Sequence, residues 1–412
     1  MTAFRKLTAR FFLAASGSFL LAALGTLWAY PQAHRTEAEN AQEIQRIFPL
    51  TKFYDTPDPL PPGKPGDLIR SQEFDRYELP PGVLAVRILY HSRSANGRDV
   101  AASGVVLYPD GKAPAHGWPV IAWAHALNGI ARQCAPSLAR NVQHGPFLSM
   151  YVNLGYAVAA TDYTGLGTSF RNAFSDMQSN AVDVIYSVPA ARSAVLQLDS
   201  RWVAIGLEEG GRAVIGVAEL EGKIRDPNYL GSMAISGLES WQSIDEDQAA
   251  DTFRGMPLFL AYGIKTVYPE FDVKDILTEK ALALYPRVEQ GRVEQGCGKP
   301  RAESQISASE LLKPKWRSNS FVSQYFNRNS PGQKPAQGPI LVISSELNPA
   351  MPIGRTAKVI TRMCKQGDRV QFERYPQSDS GSVFGDSVRD QISWIQARFA
   401  GRQAASNCSE QH

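Results

Sequence analysis

The chain predicts an α/β protein: a mostly parallel central sheet with helices on both faces. Three observations carry that prediction. Short apolar segments of strand length recur at residues 118–124, 156–163, 202–207, 231–238 and 340–345. Segments with apolar residues at helical spacing lie between several of them, as at 181–198. Buried strands alternating with helices give a parallel sheet covered on both sides. Third, an apolar strand enters the tight turn Gly206-Leu207-Glu208-Glu209-Gly210-Gly211, and an amphipathic helix leaves it.

Length and composition narrow the classes. The 412 residues suit one large domain with an insertion, or two small ones. Hydrophobic residues make up 43% and charged residues 20%, as in ordinary globular proteins. A net charge of +3, with no basic run interleaved with aromatics, excludes nucleic acid as a partner. Arg5, Lys6 and Arg10 precede an apolar stretch at 11–30, so residues 1–33 read as an export signal, cleaved or retained as an anchor. The folded part is then periplasmic or extracellular, with membrane contact through residues 11–30 if the segment stays. Four cysteines follow: Cys134, Cys297, Cys364 and Cys408. In an exported chain they read as two disulfides, with three pairings open. Their spacing is not that of a metal site, and no metal or cofactor is expected.

In order, residues 34–82 form a proline-rich extended arm. Residues 83–238 form the first part of the core. It opens with a hairpin, 86–90 and 100–108, around the turn Ser94-Ala95-Asn96-Gly97. The buried strands of the core follow, with helices at 147–154 and 181–198, the latter containing Pro189. Residues 239–338 change character: charged, with helical stretches at 248–264, 272–285 and 309–313, and no convincing buried strand. This has the size and place of a helical cap. Residues 339–400 return to the core with strands at 340–345 and 369–375 and helices at 355–365 and 387–399. Residues 401–412 are a loose polar tail.

The glycine turn has the layout of a nucleophile elbow, G-x-S-x-G. The nucleophile there sits at a strained backbone position, and small neighbours let strand and helix pack closely. Gly206, Gly210 and Gly211 meet that demand. The central residue is Glu208, where the pattern has serine.

Several motifs occur together in order: Pro65-Gly66-Asp67-Leu68-Ile69-Arg70-Ser71, Ser103-Gly104-Val105-Val106, Ala122-Trp123-Ala124-His125, Cys134-Ala135-Pro136-Ser137, Asp162-Tyr163 with Gly165-Leu166-Gly167, and Gly367-Asp368-Arg369-Val370 with Tyr375-Pro376. With the elbow glycines they resemble the secretory lipase family, from about residue 53 to 399. The resemblance implies an α/β-hydrolase fold with an inserted helical cap, and hydrolysis of triacylglycerols and other carboxylic esters by a Ser-Asp-His triad. It also implies the pairings Cys134 with Cys297 and Cys364 with Cys408.

The resemblance places the triad at Glu208, Asn348 and Ser380, so all three positions are changed. The hydrolase order is nucleophile, acid, histidine. The six histidines are His34, His91, His116, His125, His144 and His412, and only His412 follows the elbow. Without an imidazole no base tuned near neutral pH activates a hydroxyl. A carboxylate nucleophile at Glu208 would still need a histidine to activate the resolving water. His125, Ala126 and the backbone of Glu209 fall in the oxyanion region, with His125 an orienting or packing residue. Gly165-Leu166-Gly167-Thr168 reads as a strand-end turn rather than a phosphate cradle, and Asp379 and Glu346 as solvated loop acids. The expectation is an exported, monomeric, catalytically inactive pseudo-hydrolase that keeps a capped apolar pocket for a lipid or ester. The competing expectation is an active ester hydrolase with non-standard catalytic residues.

Overall fold

The computed structural model describes residues 47–238, 256–289, 297, 306–347 and 352–410. The export segment expected at 1–33 lies outside them. Among the described residues nine strands form one sheet: β1 (Leu68–Glu73), β2 (Val83–Arg93), β3 (Asp99–Pro109), β4 (Trp118–Ala124), β5 (Ala157–Thr161), β6 (Leu198–Leu207), β7 (Tyr229–Ile235), β8 (Ile340–Ser345) and β9 (Val370–Tyr375). Their order across the sheet is β1-β2-β3-β5-β4-β6-β7-β8-β9. The pairs β1–β2, β2–β3 and β3–β5 are antiparallel, and all pairs from β5 to β9 are parallel. The expected mostly parallel α/β sheet is therefore what the chain forms.

Ten helices accompany the strands in the described residues: α1 (Gly145–Asn153), α2 (Met177–Ala194), α3 (Glu209–Ile224), α4 (Met256–Val267), α5 (Glu279–Glu289), α6 (Ala308–Leu311), α7 (Ser320–Arg328), α8 (Ile353–Lys365), α9 (Val383–Asp386) and α10 (Val388–Phe399). The central strands read as unbroken apolar runs because both their faces are covered. On β6, Val203, Ile205 and Leu207 join the cluster under α1 and α10, while Trp202 and Ala204 join the one under α2 and α3. Each buried valine or isoleucine contributes about 1.5–3 kcal/mol relative to exposure. The segment between β7 and β8 carries α4 to α7, which build a third apolar cluster together with Ile130, Ala173 and Phe174.

Several element bounds differ from the sequence expectation, for local reasons. The helix expected over 181–198 starts four residues earlier, where Asp176 accepts the Ser179 N–H at 2.8 Å as its cap. It ends at Ala194 because Val195 is extended, and Leu198 opens β6. The helix expected over 272–285 is broken. A 3-10 turn at Val273–Asp275 precedes α5, and Leu277 between them bridges to Leu312. Helix α7 was not anticipated; its Asn319 cap accepts from Phe321 N–H at 2.9 Å. Nor is the tail loose as far as residue 410. Asn407 donates its N–H to Val370 O at 3.1 Å and accepts from Phe372 N–H at 2.8 Å, which lays the tail along β9.

Both disulfides form with the pairings the resemblance implied, Cys134–Cys297 and Cys364–Cys408. The first ties the loop after β4 to the insertion, and the second ties α8 to the tail.

The arm is fixed by a buried cation. Arg87 is fully buried, with its guanidinium 3.4 Å from the centre of the Phe74 ring and Phe48, Tyr54 and Tyr77 around it. It donates to Tyr77 Oη at 2.8 Å and to Ser137 O at 3.1 Å. Ser137 in turn donates its N–H and hydroxyl to Asp162 at 2.8 and 2.5 Å. Burial raises the Asp162 carboxyl, opposed by the hydrogen bonds of Ser103 and Ser137 and by Arg87. Two motifs behind the resemblance, around Ser137 and Asp162, thus belong to one buried network that holds the arm to the sheet.

Candidate functional site

Glu208 follows the last residue of β6 and precedes α3, with φ 51° and ψ −110°. A non-glycine residue in that region costs about 1–3 kcal/mol and persists only where its surroundings enforce it. Here they do. A Cβ added to Gly210 would lie 2.0 Å from Ala124 O, and one added to Gly211 would lie 2.3 Å from Ser236 O. Behind the turn, a Cβ added to Gly237, which has φ 83°, would lie 1.9 Å from Glu208 O. Glu208 N–H donates to Ile235 O at 2.9 Å, so the turn is also pinned to β7. The sequence reading missed the Ser236-Gly237 support, although a small-residue pair closing a strand was its visible signal.

The carboxyl ends of the neighbouring strands meet beside this turn. Ser236 N–H donates to Ile343 O at 2.8 Å, linking the end of β7 to β8. The loops after β8 and β9 bond to each other: Glu346 N–H to Tyr375 O and Leu347 N–H to Ser378 O, both at 3.1 Å. Ser380 stands half-buried in the second loop. Asn348 lies outside the described residues. Asp379 accepts the N–H groups of Gly381 and Ser382 at 2.9 and 2.8 Å, and these bonds hold its carboxyl below the usual range. Glu346 accepts from Arg374 Nε at 2.8 Å. Both acids therefore have structural partners.

Glu209 opens α3. Its carboxylate accepts from Asn180 Nδ2 at 2.8 Å and from the Ser175 N–H. Burial raises this carboxyl, opposed by Arg212 and by those hydrogen bonds, and Glu208 adds to the rise. His125 is buried against the Tyr163 ring at 4.1 Å. Its Nδ1 is 2.6 Å from Ala126 O and its Nε2 is 3.2 Å from Asp162 O. Burial pushes it down to about 4, opposed by the two main-chain carbonyls that its ring nitrogens face. His144 lies against Trp123 at 6.0 Å and is likewise pushed down to about 4 by burial. His91 is bound to Asp99 at 3.1 Å, and His116 is exposed. Among the described residues, no three His, Cys, Asp or Glu side chains are grouped to hold a metal ion.

The parallel sheet, its antiparallel leading edge and the strained strand–turn–helix define an α/β-hydrolase-fold protein. The model of the secretory lipase family matches residues 141–407, and the chain belongs to that family. In fold it is similar to Candida antarctica lipase A in its closed state, with 15% identity and a TM-score of 0.70; 88% of this chain and 89% of that one are covered. It is also similar to the rice cell wall degrading esterase LipA from Xanthomonas oryzae, with 17% identity, a TM-score of 0.68, and 83% and 100% covered. At such identities the likeness is one of fold. No curated protein matches the chain. Membership in a secretory family and two disulfides point to an exported protein. No helix of the described residues is long and apolar enough to cross a membrane.

Proposed function

We propose that this chain is a secretory-lipase-like protein that binds a lipid or ester without hydrolysing it. On this reading Glu208, Asn348 and Ser380 stand where the family places its nucleophile, acid and histidine. The observation that carries the reading is Glu208 itself, a carboxylate at the strained apex of the elbow. Its negative charge opposes an oxyanion forming beside the Glu209 N–H. The chain has no histidine between residues 144 and 412, so no imidazole follows the elbow at the position the mechanism needs. The helices between β7 and β8 act as the cap, with the ligand's acyl part beneath them. Residues 1–33 act as the export signal.

The test pairs binding with turnover in the purified protein. A fluorescent fatty acid titration should saturate, while p-nitrophenyl esters of several chain lengths should be hydrolysed no faster than in buffer. Ester hydrolysis that disappears in Glu208→Ala would instead make the chain an active hydrolase with a carboxylate nucleophile.

A further inference from the structure

We propose that residues 173–176 form a strap coupling helix α7 in the insertion to the first turn of the elbow helix α3, so that displacing one loosens the other. The strap is strained: Phe174 has φ 36° and Ser175 φ 57°, two successive non-glycine residues in the left-handed region. Such a conformation persists only when held from outside, and it is held from two sides.

From α7, the Tyr325 hydroxyl donates to Phe174 O and lies 2.9 Å from Ala173 O, one proton shared between two carbonyls. Arg328 closes a two-pronged pair on Asp176, with Nε 2.7 Å from Oδ2 and Nη2 3.1 Å from Oδ1. Asp176 is fully buried and Arg328 partly so, which strengthens this charge-assisted pair. From α3, Arg212 Nη2 donates to the Ser175 hydroxyl, and the Ser175 N–H donates to the Glu209 carboxylate. Arg212 N–H bonds back to Glu208 O at 3.3 Å. The chain of contacts therefore runs from α7 through all four strap residues to the Glu209 carboxylate and, by way of Arg212, to the Glu208 carbonyl.

Two strained residues caught between two sets of polar bonds have few intermediate positions. Release on one side lets the left-handed pair relax and withdraws the partners on the other, and coupling of this kind is reciprocal. Movement of the insertion is then felt at Glu208, whatever chemistry the elbow performs. The inference stands independently of the binding reading above.

Hydrogen exchange resolved by peptide, on the full chain, tests it. Tyr325→Phe should speed exchange at least tenfold in residues 210–215 as well as in 172–178, leaving β4 and β8 as in the wild type. Loosening confined to 172–178 would overturn the coupling. If Tyr325→Phe loosens the whole sheet, the milder Ser175→Ala decides. Faster exchange in α7 after that single hydroxyl is removed supports the strap, and unchanged exchange there overturns it.

Discussion

A Cβ placed on Gly206 would lie 2.0 Å from the carbonyl oxygen of Gly210. Strand β6 and helix α3 thus cross at a separation that only glycine permits, four residues apart and on either side of Glu208. The neighbouring atom is main chain, so no side-chain rotation relieves the overlap.

Gly206→Ala should therefore cost more than about 3 kcal/mol. Gly354, in the first turn of α8, has open space where a Cβ would go. Gly354→Ala should be neutral or stabilising by about 0.5 kcal/mol, because alanine favours the helix. Urea unfolding of both variants measures the contrast. Equal effects at the two sites would contradict the crossing geometry.

Stability should carry a pH signature from Asp183. This carboxylate is buried and accepts the Thr164 N–H and hydroxyl at 2.7 and 2.9 Å and the Ser92 hydroxyl. Burial outweighs these bonds and pushes it up to about 6. Between about pH 4 and 6 the folded state then holds more protons here than the unfolded chain. The contribution of this group to stability falls as pH rises through that window and is flat above it. The unfolding free energy of the wild type minus that of Asp183→Asn should drop by on the order of 1–3 kcal/mol from pH 4 to pH 7. A flat difference curve would refute the assignment.

The disulfide Cys364–Cys408 closes a sequence separation of 44 residues and anchors the tail beside β9. In the chain-entropy model such a loop is worth about 4 kcal/mol. The double variant Cys364→Ala with Cys408→Ala should lose stability on that scale in urea unfolding at fixed pH. A loss under about 1 kcal/mol would mean that the Asn407 bonds to β9 hold the tail without it.

How much of this was legible in the sequence follows from what each residue answers to. The inner stretches of β4 to β8 could be read because both faces are covered, which makes them apolar runs, whereas the edge strand β9 shows buried Val370 and Phe372 alternating with polar residues. The elbow could be read because glycine at 206, 210 and 211 answers to close backbone contact. Helix α7 was not read, since what fixes it is Tyr325 and Arg328 bonding to the strap some 150 residues earlier in the chain. The strap carries only short-range polar cues, with Asn172 Oδ1 accepting the Phe174 N–H and Asp176 capping α2; its remaining partners, Tyr325, Arg328, Arg212 and Glu209, are distant in sequence. Arg87 was missed for the same reason. Its burial depends on four rings brought together by the arm.

The most direct measurement compares ester hydrolysis by the wild type, by Glu208→Ala, and by the triple variant Glu208→Ser, Asn348→Asp, Ser380→His. Triad members act as a unit, so single replacements should gain nothing. The account predicts buffer-level rates for the wild type and for Glu208→Ala, with p-nitrophenyl ester turnover and fluorophosphonate labelling appearing only in the triple variant. Turnover by the wild type that Glu208→Ala abolishes would contradict it.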